Sequence, residues 1–192
     1  MPSDPMVFAF HADRLYTFER APRHSPSAFG GPPPAAISGR PFGPKPLHLI
    51  ARLAGWHIPA LSDNHLFDLP LIYGLTYDGC SLGYRVEYGH KVELTGLTPA
   101  ASSDDWPYAH FPPLLPYVPL RLDDTPRPES YDAFAARFPN MPARPPAELI
   151  VAVPPPASIG VSFWAAGDPD DITIVFACDL KRRIVNACNL TS

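Results

Sequence analysis

Gly79-Cys80-Ser81-Leu82-Gly83-Tyr84-Arg85-Val86-Glu87-Tyr88-Gly89-His90-Lys91-Val92-Glu93-Leu94 admits two readings that lead to different folds. Its first five residues match the G-x-S-x-G elbow, in which a strand delivers a serine nucleophile to the start of a helix. Asp104 and His110 then follow in the Ser, Asp, His order of an α/β-hydrolase. The rest of the stretch argues against that helix. With Tyr88-Gly89-His90 as the loop, Glu87 pairs with Lys91, Val86 with Val92, Arg85 with Glu93 and Tyr84 with Leu94. Complementary charges then fall on one face and apolar pairs on the other, as in a β-hairpin. A strand beginning just after Ser81 leaves no room for the elbow helix, so the hairpin is preferred and the hydrolase becomes the alternative.

Downstream, residues 104–120 hold two carboxylates, four aromatic rings and five prolines. Each proline lacks an N–H and biases its predecessor toward extended angles, so this segment is expected to be neither helix nor central strand but polyproline-like chain over an apolar surface. Beyond it, Tyr131, Phe134, Ala135 and Phe138 recur at helical spacing between Pro128 and Pro139 and predict a helix that lays an aromatic stripe on a sheet. Leu149–Val153, Ile159–Trp164 and Ile172–Leu180 read as strands. Ile184–Leu190 returns antiparallel after Lys181-Arg182-Arg183, with Leu180 beside Ile184, Phe176 beside Cys188, Ile174 beside Leu190 and Cys178 beside Asn186.

Upstream, Leu69–Tyr77 reads as a buried strand ending at an Asp78-Gly79 turn, and Val7–Glu19 as a hairpin or bent strand. Residues 21–46 hold eight prolines and four glycines and read as one long loop. Leu47, Leu49, Ala51 and Leu53 alternate as a strand does, although Pro46 and Gly55 would also bracket a two-turn helix.

The 28 prolines among 192 residues limit helix, while 46% apolar and 11% aromatic content suffices for one self-sufficient core. The expectation is a single domain over residues 1–192 of the α+β class: β-rich, mainly antiparallel, with one or two short helices and long Pro-rich loops. No stretch approaches the roughly 20 apolar residues of a membrane span, and the start of the chain lacks a leader pattern, which points to the cytoplasm. Cys80, Cys178 and Cys188 are odd in number and widely spaced, so neither a disulfide framework nor a thiolate zinc site is expected. The net charge of −4 is uneven: residues 61–132 carry eleven acidic and four basic side chains. That excess repels nucleic acid and favours a basic partner.

Several pieces resemble the YwqG-like family of bacterial proteins. Ser27-Ala28-Phe29-Gly30-Gly31-Pro32 is similar to its opening S-x-F-G-G-x-P element, Pro46–Leu53 to the P-L-x-F-L-A-Q-I-D-L strand, and Leu69–Tyr73 to the next element. Gly167-Asp168, Ile172–Phe176 and Asp179-Leu180 resemble its closing G-D-x-G strand and D-L pair. Arg52-Leu53-Ala54 departs from the family's Gln-Ile-Asp. The resemblance implies a β-rich α+β domain and a strand at Leu47–Leu53. It brings no catalytic residues, and it associates the chain with toxin-neutralising proteins.

Candidate chemistry is sparse. Cys80 as a thiolate would need His57, His65, His90 or His110 beside it, and a metal would need the fold to gather scattered histidines with Asp63, Asp68 or Asp78. Gly30-Gly31 lacks the Lys-Ser/Thr and following helix of a phosphate loop, so no cofactor is expected. The expected function is therefore non-enzymatic binding of a basic protein, an immunity protein against a bacterial toxin. Asp104, Asp105, Trp106, Tyr108, His110, Asp123 and Asp124 are its predicted contact residues, because Trp and Tyr dominate interfaces and carboxylates steer basic partners. The alternatives are a small hydrolase using Ser81 or Cys80 and a metal-dependent enzyme.

Overall fold

The computed structural model describes residues 4–39, 47–75, 80–88, 91–98, 114–123, 125–163 and 172–190. Thirteen strands join one mixed sheet. They are β1 (Val7–His11), β2 (Arg14–Arg20), β3 (Ser27–Gly31), β4 (Ala36–Gly39), β5 (His48–Ala54), β6 (Asp68–Tyr73), β7 (Ser81–Glu87), β8 (Lys91–Thr98), β9 (Leu115–Leu122), β10 (Arg127–Pro128), β11 (Leu149–Val153), β12 (Thr173–Asp179) and β13 (Ile184–Leu190). Two five-residue helices, α1 (Pro59–Asp63) and α2 (Tyr131–Ala135), complete a strand-dominated, β-rich fold. The spatial order is β4-β8-β7-β13-β12-β11-β1-β2-β9-β3-β5-β6, with β10 beside β2. Only β4 and β8 run parallel among the described pairs. No helix of the described residues is long and apolar enough to cross a membrane.

The sheet curls until its last strand meets the other end. On β7, the Tyr84 hydroxyl donates to the Pro70 carbonyl (2.9 Å) and accepts the Ile72 N–H (3.1 Å), so it satisfies the free edge of β6. Tyr73 of β6 accepts the Cys80 N–H at 2.8 Å and lies 3.0 Å from Asn189 Oδ1 on β13. Inside the curl, Phe18, Phe29, Leu53, Leu71, Tyr84, Val151 and Phe176 form the main core. The outer face carries a second cluster where α2 lies on Phe10, Ile150, Ala152 and Val175. Strands β11 and β12 are covered on both sides, which is why LIVAV and TIVFA read as continuous apolar runs without alternation.

The hairpin of β7 and β8 has the predicted pairing throughout Tyr84–Glu87 and Lys91–Leu94, with Gly89 and His90 outside the described residues. Leu47–Leu53 resolves as strand β5, Val7–Glu19 as the β1–β2 hairpin, and the aromatic helix forms with Ser130 as its cap, accepting the Ala133 N–H. Phe10 stacks on Phe134 at 5.3 Å.

Four expectations are corrected. The β12–β13 register is one residue off: Asp179 pairs with Ile184, Cys178 with Val185, Phe176 with Ala187 and Val175 with Cys188. Leu180 is buried in the main core and leaves the ladder, and Arg183 takes a left-handed turn conformation (φ 57), so the connection holds one residue more than predicted. Cys178 and Cys188 consequently sit on opposite faces, and both are free, as is Cys80.

Secondly, the described part of the strand expected over Ile159–Trp164, residues 159–163, is not strand: Ala157–Ile159 is a 3₁₀ turn and Gly160 follows at φ 66, a conformation that interrupts extended chain. Trp164 lies outside the described residues. Thirdly, residues 21–46 are not loop throughout, since they contain β3 and β4.

The fourth correction concerns the Pro-rich segment, whose end forms β9, a central strand between β2 and β3. Within β9, strand β2 pairs with Leu120–Leu122, which hold no proline; the Pro119 carbonyl accepts the Ala21 N–H (2.8 Å) just past β2, and Pro116 lies at a register irregularity beside Gly30. Gly30 (φ 63) lets the two backbones meet there, because a Cβ would stand 2.3 Å from the Pro116 carbonyl oxygen. The glycines of the S-x-F-G-G element thus make room for a proline-bearing strand.

Candidate protein-binding surface

Of the predicted contact residues, Asp104, Asp105, Trp106, Tyr108, His110 and Asp124 lie outside the described residues. Asp123 follows β9 and is engaged internally: its N–H donates to the Thr17 carbonyl (2.8 Å), and its carboxylate lies 3.7 Å from Arg127 on β10. It is half-buried.

The catalytic alternatives do not assemble among the described residues. Ser81 opens β7 and is followed by six more strand residues, so the turn from strand to helix that defines a nucleophile elbow is absent. Cys80 is buried, and burial raises its thiol pKa, opposite to what a thiolate nucleophile needs. His90 and Asp78 lie outside the described residues, and no three His, Cys, Asp or Glu side chains among the described ones are grouped to hold a metal.

A different surface emerges from the connection between β5 and β6. Gly55 begins it with a 3₁₀ turn; its N–H donates to the Phe67 carbonyl (2.7 Å), and a Cβ there would stand 2.3 Å from the Leu66 oxygen. Pro59 starts α1, Ser62 Oγ donates to the Gly55 carbonyl (2.9 Å), Asn64 Nδ2 donates to the Ala60 carbonyl (2.8 Å), and the Leu66 N–H reaches the Leu61 carbonyl (2.8 Å). Ile58, Leu61 and Leu66 fill the inward positions. The two large rings flanking the connection point outward instead, Trp56 at 66% and Phe67 at 76% exposure.

Tyr88, just past β7, is 69% exposed and shares a cleft of 160 Å³ with Phe67. His65, Asp68, Glu87 and Arg183 also line it. The Arg183 guanidinium lies over the Tyr88 ring at 4.1 Å, donates to the Tyr88 hydroxyl (2.8 Å) and reaches the Asn64 carbonyl (3.4 Å). This arginine ties the β12–β13 turn to both the end of α1 and the tip of β7. Rings held on tied backbone lose little freedom on binding, which is what an interface anchor requires.

Behind Trp56, His57 joins the surface to the core. Its ring meets Phe18 edge-on at 5.7 Å and Trp56 at 6.1 Å. Ser27 Oγ, fully buried, accepts the Ala54 N–H at 2.9 Å and lies 2.7 Å from His57 Nδ1, which accepts the hydroxyl proton when Nδ1 is unprotonated. Desolvation lowers the His57 pKa below 6.5, consistent with a neutral, accepting imidazole.

In comparison with known proteins, no family model, curated protein or solved structure matches this chain. Sequence reasoning passed over Trp56 and Phe67 because each adjoins a buried apolar run. The available signal was that Ile58, Leu61 and Leu66 already satisfy an inward face at near-helical spacing, which leaves the flanking rings without a place inside.

Proposed function

We propose that this protein is a non-enzymatic protein-binding domain that recognises a basic partner through Trp56, Phe67 and Tyr88. The observation that carries the reading is the outward display of Trp56 and Phe67 on a connection whose Ile58, Leu61 and Leu66 are buried, with the exposed Tyr88 sharing a cleft with Phe67. Soluble domains seldom expose such groups together without a binding role, and Trp, Tyr and Arg are the residues most often dominant in interfaces. The basic character of the partner follows from the eleven acidic against four basic residues in 61–132. Together with the resemblance to the YwqG-like family, this supports a cytoplasmic immunity protein that neutralises a basic toxin, with Asp104–Tyr108 as a second contact region.

The test is a comparative capture from the source organism using wild type, Trp56→Ala and Phe67→Ala, and separately Asp104→Asn with Asp105→Asn. A basic protein retained by wild type, released by salt and lost by the ring variants is expected. Identical capture by wild type and ring variants would remove this surface from the function.

A further inference from the structure

The wall of the cleft between Phe67 and Tyr88 already carries a cation, and that cation belongs to the chain itself. A guanidinium group asks for a ring face, hydroxyl or carbonyl acceptors and nearby carboxylates. Arg183 finds the Tyr88 ring at 4.1 Å, the Tyr88 hydroxyl at 2.8 Å and the Asn64 carbonyl at 3.4 Å. Asp68 and Glu87 line the same space, and Phe67 supplies a second, largely exposed ring. With Arg183 in its wall, the cleft still leaves 160 Å³, room for one side chain and not a larger ligand.

We propose that this cleft is a recognition pocket for an arginine side chain of the partner, and that Arg183, in its wall, holds the cation position on the Tyr88 ring as a placeholder until the partner binds. The proposal rests on the reading of this surface as a protein-binding face and names the group that enters it. Displacement needs no backbone rearrangement. The Arg183 carbonyl stays bonded to the Val86 N–H (2.9 Å), so only the side chain has to swing out to solvent. An incoming arginine then inherits the ring, the two acceptors and the carboxylates. The placeholder keeps the free protein from exposing an empty acidic-aromatic cleft and lowers the apparent affinity for weak, unspecific cations.

The experiment uses Nα-acetyl-arginine amide as probe, titrated into wild type, Arg183→Gly and the double variant Arg183→Gly/Tyr88→Leu, with the Phe67 and Tyr88 ring signals followed by NMR. Glycine suits the left-handed conformation at position 183, and Arg183→Asn serves as a second variant if the glycine form loses its folded spectrum. Removing the placeholder should tighten binding roughly two- to fivefold, the factor that releasing one exposed cation–π contact provides. Tyr88→Leu should abolish the gain, and Nα-acetyl-lysine amide should bind more weakly than the arginine probe. Equal affinity of wild type and both Arg183 variants, or binding indifferent to Tyr88, overturns the pocket. If the pocket fails while Trp56→Ala still loses the partner, the protein-binding surface stands without it; if the probe binds as expected but the ring variants keep the partner, the surface fails and the pocket remains.

Discussion

Around α2 the rings of Tyr131, Phe134 and Phe138 are buried against Phe8 and Phe10 of β1, whereas the connection between β5 and β6 turns Trp56 and Phe67 outward at 66% and 76% exposure. Both are short helical segments with large rings close by, α2 between Pro128 and Pro139 and α1 opened by Pro59. The difference lies in where the rings fall relative to the buried face. On α2 they occupy the inward positions themselves, and the helix has no other apolar side chain large enough to replace them. In the connection, Ile58, Leu61 and Leu66 hold the inward positions, and the rings stand at the two ends. Aromatic content alone thus separates neither core from interface; the aliphatic residues beside it do.

That contrast predicts opposite consequences for truncation. Phe134 is fully buried and stacked on Phe10, so Phe134→Ala should cost about 3–5 kcal/mol, read as a large fall in the thermal midpoint. The refolded fraction should bind a partner normally. Trp56→Ala should do the reverse, changing stability by no more than about 0.5 kcal/mol while weakening partner binding by about 2 kcal/mol or more, mainly through faster dissociation. A drop in midpoint for Trp56→Ala comparable with that of Phe134→Ala would erase the distinction between the two regions. A smaller effect is expected at the cap of α2: Ser130→Ala removes the acceptor of the Ala133 N–H and should cost about 1 kcal/mol in chemical denaturation. An unchanged midpoint there would mean that ring packing alone sets the helix start.

Much of the fold was legible wherever one local rule acted alone. Charge and apolar alternation decided the β7–β8 register, because a slip by one residue would have set charged residues opposite apolar ones. The β12–β13 register was missed because both faces of β12 are covered, so its run of apolar residues carries no alternation to count, and the turn length hinged on Leu180 leaving the ladder. Strand β9 was unreadable for a non-local reason: whether a proline is tolerated depends on which neighbour faces it, and the glycine that admits Pro116 lies on β3, far back in the chain. The surface was missed in a similar way, since exposure of Trp56 follows from three aliphatic residues packing inward and from Gly55 closing on Phe67.

His57 touches both regimes, with Phe18 of the core on one side and displayed Trp56 on the other, and it gives the smallest expected effect. Ser27 Oγ already accepts the Ala54 N–H, so its hydroxyl proton requires an acceptor, and only neutral His57 Nδ1 provides one in the described geometry. Protonating the imidazole would turn Nδ1 into a donor, leave the buried Ser27 hydroxyl proton without that acceptor and add the cost of charging a partly desolvated ring. The folded-state pKa therefore lies below the unfolded value of 6.5. With the folded pKa depressed, the unfolded chain binds the proton first as pH falls. The His57 contribution is thus complete above 6.5 and declines below it until the folded pKa is reached. His57→Asn places a non-titrating carbonyl oxygen where Nδ1 stood, so the Ser27 hydroxyl keeps its acceptor at every pH. Between about pH 7 and pH 5 the thermal midpoint of wild type should fall further than that of His57→Asn, the other histidines contributing equally to both. Parallel decline of the two proteins would show that the imidazole is not held neutral by Ser27 and that Trp56 is anchored by the backbone of its turn alone.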